Sequence, residues 1–213
     1  MKLLRLSMIA VCLFITQQNI HAQQLNQQEK AELQLRVKQK IEDFQMYLGI
    51  IASKSVSASN KDNATANALA LFVGKGEKYY YYEYDNNGNQ GPKKLHDPVK
   101  MQTSTKRGGP RPPQPMKDYL AHIRNMTRYT KVVIESADAV RVDELYEVSP
   151  GRYEGMAYFS QKYCGYQDGR LIYSDVTVKR VRISVDYKEI PDPSGTRHVW
   201  KVLLGDISVV STR

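Results

Sequence analysis

Tyrosine is where this sequence concentrates its chemistry. Fifteen tyrosines stand against four phenylalanines in 213 residues, so most aromatic side chains carry a hydroxyl that seeks water or a hydrogen-bond partner. Five fall within six positions, Tyr79, Tyr80, Tyr81, Tyr82 and Tyr84. On a strand successive side chains alternate between faces, so two of Tyr79–Tyr82 point to a core and two point out. A basic run follows: Lys93, Lys94, Lys100, Lys106, Arg107 and Arg111, opposed only by Asp97. Tyr80, Tyr82 and Tyr84 with Lys93, Lys94, Lys106 and Arg107 are the candidate contact surface, suited to a partner protein or an anionic ligand. An edge strand of good β-formers explains the same tyrosines, and a solvated loop explains the same lysines.

Other reactive side chains form no constellation. His96, His122 and His198 are far apart and show no metal-ligand spacing. The carboxylates on candidate strands are Glu135, Asp143, Glu154, Asp175, Asp186 and Asp206. Each is expected to face solvent, with Asp206 the mild exception because Leu203, Leu204, Ile207 and Val209 surround it. There is no G-x-S-x-G elbow, and Gly74-Lys75-Gly76 is a helix stop, too short to cradle a phosphate. No catalytic residue, metal site or cofactor is assigned on this reading. Cys164 is expected to be a small buried side chain on a strand in preference to a reactive thiol, since no basic cluster or histidine adjoins it.

The first residues set the compartment. Lys2 and Arg5 precede an apolar run to Ile15, and Ile20-His21-Ala22 then gives a small-residue cleavage site, the pattern of a secretory leader over residues 1–22. The run is too short to span a bilayer, which takes about 20 apolar residues. Cys12 follows Val11 where a lipoprotein signal has a small residue, so acylation there is discounted. Cleavage near Ala22 leaves an exported chain, periplasmic or extracellular, with no transmembrane span and one cysteine, which cannot pair internally.

The whole chain has 31 basic and 22 acidic residues, a net +9. Without the leader the net is +7, and residues 75–131 alone, with 12 basic and 5 acidic residues, hold all of it. The remainder balances. Such asymmetry marks a lipid headgroup, an acidic glycan or another protein as partner. A single Arg107-Gly108-Gly109 is too little to argue for nucleic acid in an exported protein. Two cysteines rule out a disulfide scaffold, and 25% charged with 41% hydrophobic residues is ordinary for a globular domain.

The elements that hold these residues follow from periodicity. Leu33, Val37, Ile41, Phe44, Leu48 and Ile51 are spaced at a mean of 3.6, which predicts a helix from about Asn26 to Ser53. At 1.5 Å per residue it is roughly 42 Å long and must lie on something large. Asn60 or Asp62 caps a second helix that ends at Gly74 and Gly76. A strand Lys78–Tyr84 follows, then a turn-rich loop through Asp85–Asn89 and Gly91-Pro92, with Val99–Thr103 as a short partner strand. Gly108–Pro115 is a stiff irregular connection. A short helix spans Met116–Met126. Four strands close the chain, Thr130–Val142, Arg152–Cys164, Arg170–Tyr187 and Arg197–Ser211, joined by short turns and so antiparallel. Val176 and Val178 are on even positions of the third, whereas Val181, Ile183, Val185 and Tyr187 are on odd ones. A β-bulge near Lys179-Arg180, or two halves burying opposite faces, would reconcile them.

The order α-α-β-β-α-β-β-β-β is an α+β layer architecture: a strongly curved antiparallel sheet wrapping a long N-terminal helix, one domain over residues 23–213. This order, with the long helix Asn26–Ser53, the helix Met116–Met126 and the final strands through Trp200–Val210, resembles the nuclear-transport-factor-2-like, or ketosteroid-isomerase-like, cone fold. It looks most like small exported bacterial proteins of that fold to which no activity is assigned. The resemblance implies a cone whose open end, in enzymatic members, is an apolar pocket with an acidic or histidine base. Fold does not fix function. The favoured expectation is an exported non-catalytic binding or scaffold domain of the cell envelope, with homodimerisation as a further option. The alternative is an enzyme with a pocket inside the cone, acting on a small apolar or glycan-derived substrate. An open pocket holding a buried acid or histidine separates the second from the first.

Overall fold

A computed structural model describes residues 25–84, 89–149, 151–192 and 195–213, without the side chains of Glu83, Tyr84, Glu189, Asp192 and residues 195–198. The expected leader with Cys12, residues 85–88, Pro150, residues 193–194, and the side chains of Tyr84 and His198 lie outside the described part.

Helix α1 spans Gln27–Ala52. Asn26 caps it, its Oδ1 accepting from the Glu29 amide at 2.9 Å while Glu29 returns a bond to the Asn26 amide, a reciprocal cap that satisfies two donors at the helix start. Leu33, Val37, Ile41, Phe44, Leu48 and Ile51 are all buried, as their spacing requires. Helix α2 spans Ala58–Ala70, and Ser57 caps it, taking the Asn60 amide at 3.3 Å. The sequence places that cap at Asn60 or Asp62. Ser57 wins because it stands in extended backbone one turn earlier, where its hydroxyl reaches an unpaired amide. A 3-10 turn, Val73–Gly76, follows with Gly74 at φ 69°. A Cβ on Gly74 would stand 2.7 Å from the Tyr79 ring, so this reversal needs glycine both for its backbone and for its space.

Strands β1, Tyr79–Tyr84, and β2, Gln90–His96, form a two-stranded sheet of their own, with Tyr79 opposite His96. The expected partner, Val99–Thr103, is not the one used. The chain closes the tighter hairpin, and Pro92 is tolerated because β2 has a free edge. Lys100–Met101, β3, instead joins the main sheet. Ser104–Thr105 and Gly109–Pro110, β4 and β5, make a second small hairpin, and Gln114–Pro115 is β6. Helix α3 spans Met116–Arg124. Then come β7, Lys131–Ser136; β8, Arg141–Val142; β9, Tyr146–Ser149; β10, Arg152–Gln167; β11, Arg170–Asp192; and β12, Gly195–Thr212.

The main sheet runs β6-β3-β12-β11-β10-β7, with β8 and β9 also pairing to β10. It is mixed, not wholly antiparallel. β3 lies parallel to β12 through Met101 and Ile207, because the chain reaches β3 before α3 and enters the sheet beside its last strand. The buried stripe of α1 and the inner residues of β10, β11 and β12 form one core, running from Leu25 to Ile207. No helix among the described residues is long and apolar enough to cross a membrane.

Strand β11 settles the parity question. Its pairing with β10 is uninterrupted from Asp186 to Tyr173, so no residue of β11 is bulged there. The bulges sit on β12, opposite Val178/Lys179 and opposite Val181/Ile183, where an extra residue bends the strand. Asp175, Thr177, Lys179, Val181, Ile183 and Val185 are all buried on the same face. The inner face simply changes character along the strand, from polar at one end to apolar at the other.

Candidate functional site

The polar end of that face opens into a cavity of about 1080 Å³. Its floor is β11 and β10, which bring Tyr173, Asp175, Thr177 and Lys179 beside Gln161 and Tyr163. Register fixes these neighbours: Tyr163 faces Asp175 and Gln161 faces Thr177. Helix α3 and the segment after it roof the cavity with Tyr119, Ile123, Met126 and Tyr129. Thr103–Thr105 and Arg111–Gln114, the base of the small β4–β5 hairpin, form the rim.

Lys179 is 3% exposed. Its Nζ donates to Oε1 of Gln161 at 2.6 Å and lies 5.8 Å from the centre of the Tyr119 ring. No carboxylate stands within ion-pairing distance of it among the described residues. Burial therefore pulls its ammonium down to a pKa of about 7, with the Asp175 charge only partly opposing the shift. The Gln161 Nε2 is buried and without a hydrogen-bond partner. The hydroxyl of Tyr119 lies near this amide without closing a bond of normal geometry, and burial raises that phenol far above its ordinary range.

Asp175 is 6% exposed. Its Oδ2 accepts a short hydrogen bond from the Tyr173 hydroxyl, and Tyr173 Oη in turn accepts from the Lys106 amide at 3.2 Å. Burial raises the Asp175 pKa; the bond from Tyr173 and the charges of Lys179 and Lys106 hold the rise back. Tyr163 donates to Met126 Sδ at 2.9 Å and meets Tyr129 and Tyr173 edge-on, each at 5.9 Å between ring centres. The buried part of the wall is thus aromatic, with the Lys179 amine, the Asp175 carboxyl and the Gln161 amide set into it, while Arg111, Asp118, His122 and Arg128 stand at its exposed rim. Such a site can bind a small partly apolar molecule and move protons on it.

Two carboxylates therefore depart from the outward-facing expectation. Asp175 faces the cavity. Glu154, 7% exposed, is clamped between Arg152 Nη2 at 3.0 Å and Arg182 Nη2 at 2.6 Å, and it takes the Tyr81 hydroxyl at 3.1 Å. The Arg152 guanidinium also lies 3.6 Å from the Tyr81 ring centre. This cluster fastens the β1–β2 hairpin to the main sheet and is distant from the cavity lining. Asp206, the exception in sequence, is exposed and accepts the Lys100 amide at 2.7 Å, a strand-linking role.

The sequence-derived contact residues divide into two groups. Tyr80 and Tyr82 are 63% and 40% exposed, and the Lys93 amine lies over both rings, 5.0 and 5.9 Å from their centres. Lys94 pairs with Tyr81 in the hairpin register. Lys106 and Arg107 are on the other hairpin, β4–β5, where Lys106 adjoins the cavity through Tyr173. His122 is exposed at the cavity rim. Cys164 is buried, its Sγ 3.5 Å from Ser174 Oγ. No group of three or more histidine, cysteine or acidic side chains among the described residues is placed to hold a metal ion.

Lys179, Asp175 and Gln161 went unassigned from sequence because the broken alternation of β11 reads there as a structural irregularity. The alternate positions Tyr173, Asp175, Thr177 and Lys179 are a polar stripe on a strand whose other half is apolar on the same parity. That stripe is the signal that marks the cavity.

No family model matches the chain, and no curated protein matches it. Among solved structures it is similar to "Putative Scytalone Dehydratase" from Novosphingobium aromaticivorans DSM 12444, at 11% identity and a TM-score of 0.41, over 87% of this chain and 90% of that one. A likeness at that level is too distant to carry any part of the functional reading.

Proposed function

We propose that the protein takes a small, partly apolar organic molecule into the cavity between α3 and β10–β11 and transfers protons on it. The observation that carries this reading is the placement of Asp175 and Lys179, both buried, on one face of β11 and open to the same cavity. A purely structural core would fill such positions with apolar side chains, because buried charge is expensive without a close partner. Asp175 with Tyr173 forms the acid–base pair, and Lys179 with Gln161 supplies the amine and donor at the other end. The four-residue spacing separates the two by about 13 Å along the backbone at 3.3 Å per residue, room for a ligand of several heavy atoms lying over Thr177. The leader-like pattern of residues 1–22 supports an exported site of action.

Fragment binding tests the reading. A set of small aldehydes, ketones, phenols and carboxylic acids is screened by ligand-observed NMR against the protein and against Ala121→Trp. Ala121 is an exposed rim residue, so the larger ring obstructs the cavity without disturbing the core. The expected result is binding by a subset that the variant loses. Absence of any hit, or equal binding to the variant, overturns it.

A second reading rests on Lys93 lying over the exposed rings of Tyr80 and Tyr82. That face suits an anionic glycan or acidic protein segment, and it matches the non-catalytic binding role that the sequence favours. Loss of heparin-column retention in Lys93→Gln, with cavity binding intact, would separate it from the first.

A further inference from the structure

Lysine side chains that are buried for structure alone are held by carboxylates. Lys179 is not: its bond is to the neutral amide of Gln161, at 2.6 Å, and the residue lines the cavity. Nε2 of the same amide closes no hydrogen bond of normal geometry and has the Tyr119 hydroxyl near it, so at least one of its two hydrogens is left for a ligand. An amine and an unpaired donor on one side of an aromatic cavity are the two groups needed to attack a carbonyl carbon and to hold the oxygen as it gains negative charge.

We propose that Lys179 is a nucleophile that condenses with a small aromatic or apolar aldehyde or ketone bound in the cavity. This deepens the proton-transfer reading and rests on it. The Lys179 nitrogen bonds to the carbonyl carbon, and the C=O π pair moves to oxygen, held by Gln161 Nε2. The oxygen takes the proton that nitrogen sheds, giving a carbinolamine. Nitrogen then re-forms a double bond to carbon as the C–O bond breaks, and the hydroxyl leaves as water with a proton drawn from solvent at the open cavity. The iminium N–H returns a proton to solvent. The balance is amine plus carbonyl giving imine plus water, with no oxidant or reductant. Burial lowers the amine's affinity for protons, so a working fraction is unprotonated at neutral pH. Tyr119, Tyr163 and Met126 favour an aromatic or branched apolar body over a sugar.

Reductive trapping tests this. The full protein is incubated at pH 7 with benzaldehyde and sodium cyanoborohydride, and labelled peptides are located by mass spectrometry. The expected product is one benzyl group on Lys179, formed on the order of tenfold faster than on any exposed lysine, and lost in Ala121→Trp. Labelling spread over the exposed lysines, with Lys179 no faster, overturns the proposal. If NMR still shows benzaldehyde bound in a way that Ala121→Trp abolishes, the cavity reading stands and only the nucleophile fails. If benzaldehyde neither binds nor labels and no other fragment binds, both fail. Gln161→Leu supplies a second variant that keeps Lys179: slower trapping is expected, and unchanged trapping removes Gln161 from the step.

Discussion

Lys179 reaches diagonally across the β10–β11 ladder to Gln161, 2.6 Å away, while the residue directly opposite Gln161 is Thr177. The diagonal brings the amine to the row of Gln161 and Thr177, both of which line the cavity. It also gives the amine a neutral partner where an ion pair would have anchored it as a cation. Stability and chemistry are therefore opposed at this position: the arrangement that destabilises the ammonium is the one that makes the amine available.

Lys179→Met is expected to be more stable than the parent at neutral pH. In the unfolded chain this lysine binds its proton up to its ordinary 10.5, but in the fold only up to about 7. Between those values the unfolded state holds more protons, so parental stability rises with pH; below about 7 the penalty is fully present. At 1.36 kcal/mol per pKa unit that penalty is on the order of 5 kcal/mol. Asp175 loses its attraction to Lys179 in the variant, so the comparison is read from neutral pH upward. Urea unfolding from pH 7 to 10 checks it. Parallel curves for parent and variant would mean the amine is solvated.

Glu154→Ala is expected to destabilise by about 3–5 kcal/mol, because it strands the buried Arg152 guanidinium. Asp186, 3.9 Å from Arg152, offers only partial compensation. The Arg182 side chain is 59% exposed, so its arm of the clamp adds little. Hydrogen exchange should also speed up in the Tyr79–Tyr84 and Gln90–His96 amides as Tyr81 loses its acceptor. A loss under about 1 kcal/mol with unchanged exchange would show that the hairpin stands without the cluster.

Phe44→Ala tests whether α1 belongs to the core. Phe44 is fully buried and meets Phe72 edge-on at 5.0 Å and 82°. The expected loss is about 3–5 kcal/mol, the transfer term plus the cavity left behind. A negligible change in urea midpoint would mean the helix face is peripheral.

The long helix was legible because its apolar stripe obeys one period from Leu33 to Ile51 and because Asn26 and Glu29 form a local cap. Both signals are short-range. The last three strands were legible for the same reason, with turn residues at their ends, whereas the expected strand Thr130–Val142 divides into β7 and β8, and β9, Tyr146–Ser149, was not expected. The hairpin partner of β1 was not: Gly91-Pro92 reads as a loop locally, and only closure of the ribbon makes Gln90–His96 a strand. The parallel β3–β12 pair has no local mark either, since two residues, Lys100 and Met101, carry it. The cavity was half legible. Its polar residues alternate on β11, but the lids that turn a polar stripe into a buried site, Tyr119 and Tyr129, come from 40 to 60 positions earlier in the chain. Burial, and with it the altered chemistry of Asp175 and Lys179, is a property of that long-range closure.

The exposed basic side chains Lys93, Lys94, Lys106 and Arg107 are expected to bear on binding, not on folding. Replacing all four with glutamine should leave the melting temperature within about 2 °C, since exposed charges contribute little, while reducing retention on a heparin column. A large drop in melting temperature would make the two hairpins structural. Unchanged retention would remove them as an anionic-partner surface.

Gly165→Ala probes how the cavity wall is held. A Cβ at Gly165 would fall 2.5 Å from Tyr129 Cε1 and within 2.7 Å of two more atoms of that ring, closer than any real contact. The Tyr129 ring lies flat against the backbone of β10 there, and glycine is the residue that permits it. Because Tyr129 leans on Tyr163 and Tyr163 on Tyr173, a displaced Tyr129 passes the strain toward the hydroxyl that serves Asp175. The single change should destabilise by about 1–3 kcal/mol, the usual range for overpacking. It should also weaken fragment binding in the cavity. Tyr129→Leu should relieve much of the clash, so the double variant is expected to lose less than the sum of the two singles, with a coupling of about 1 kcal/mol or more. Strict additivity would show that Tyr129 does not rest on Gly165 and that the aromatic wall is held from elsewhere.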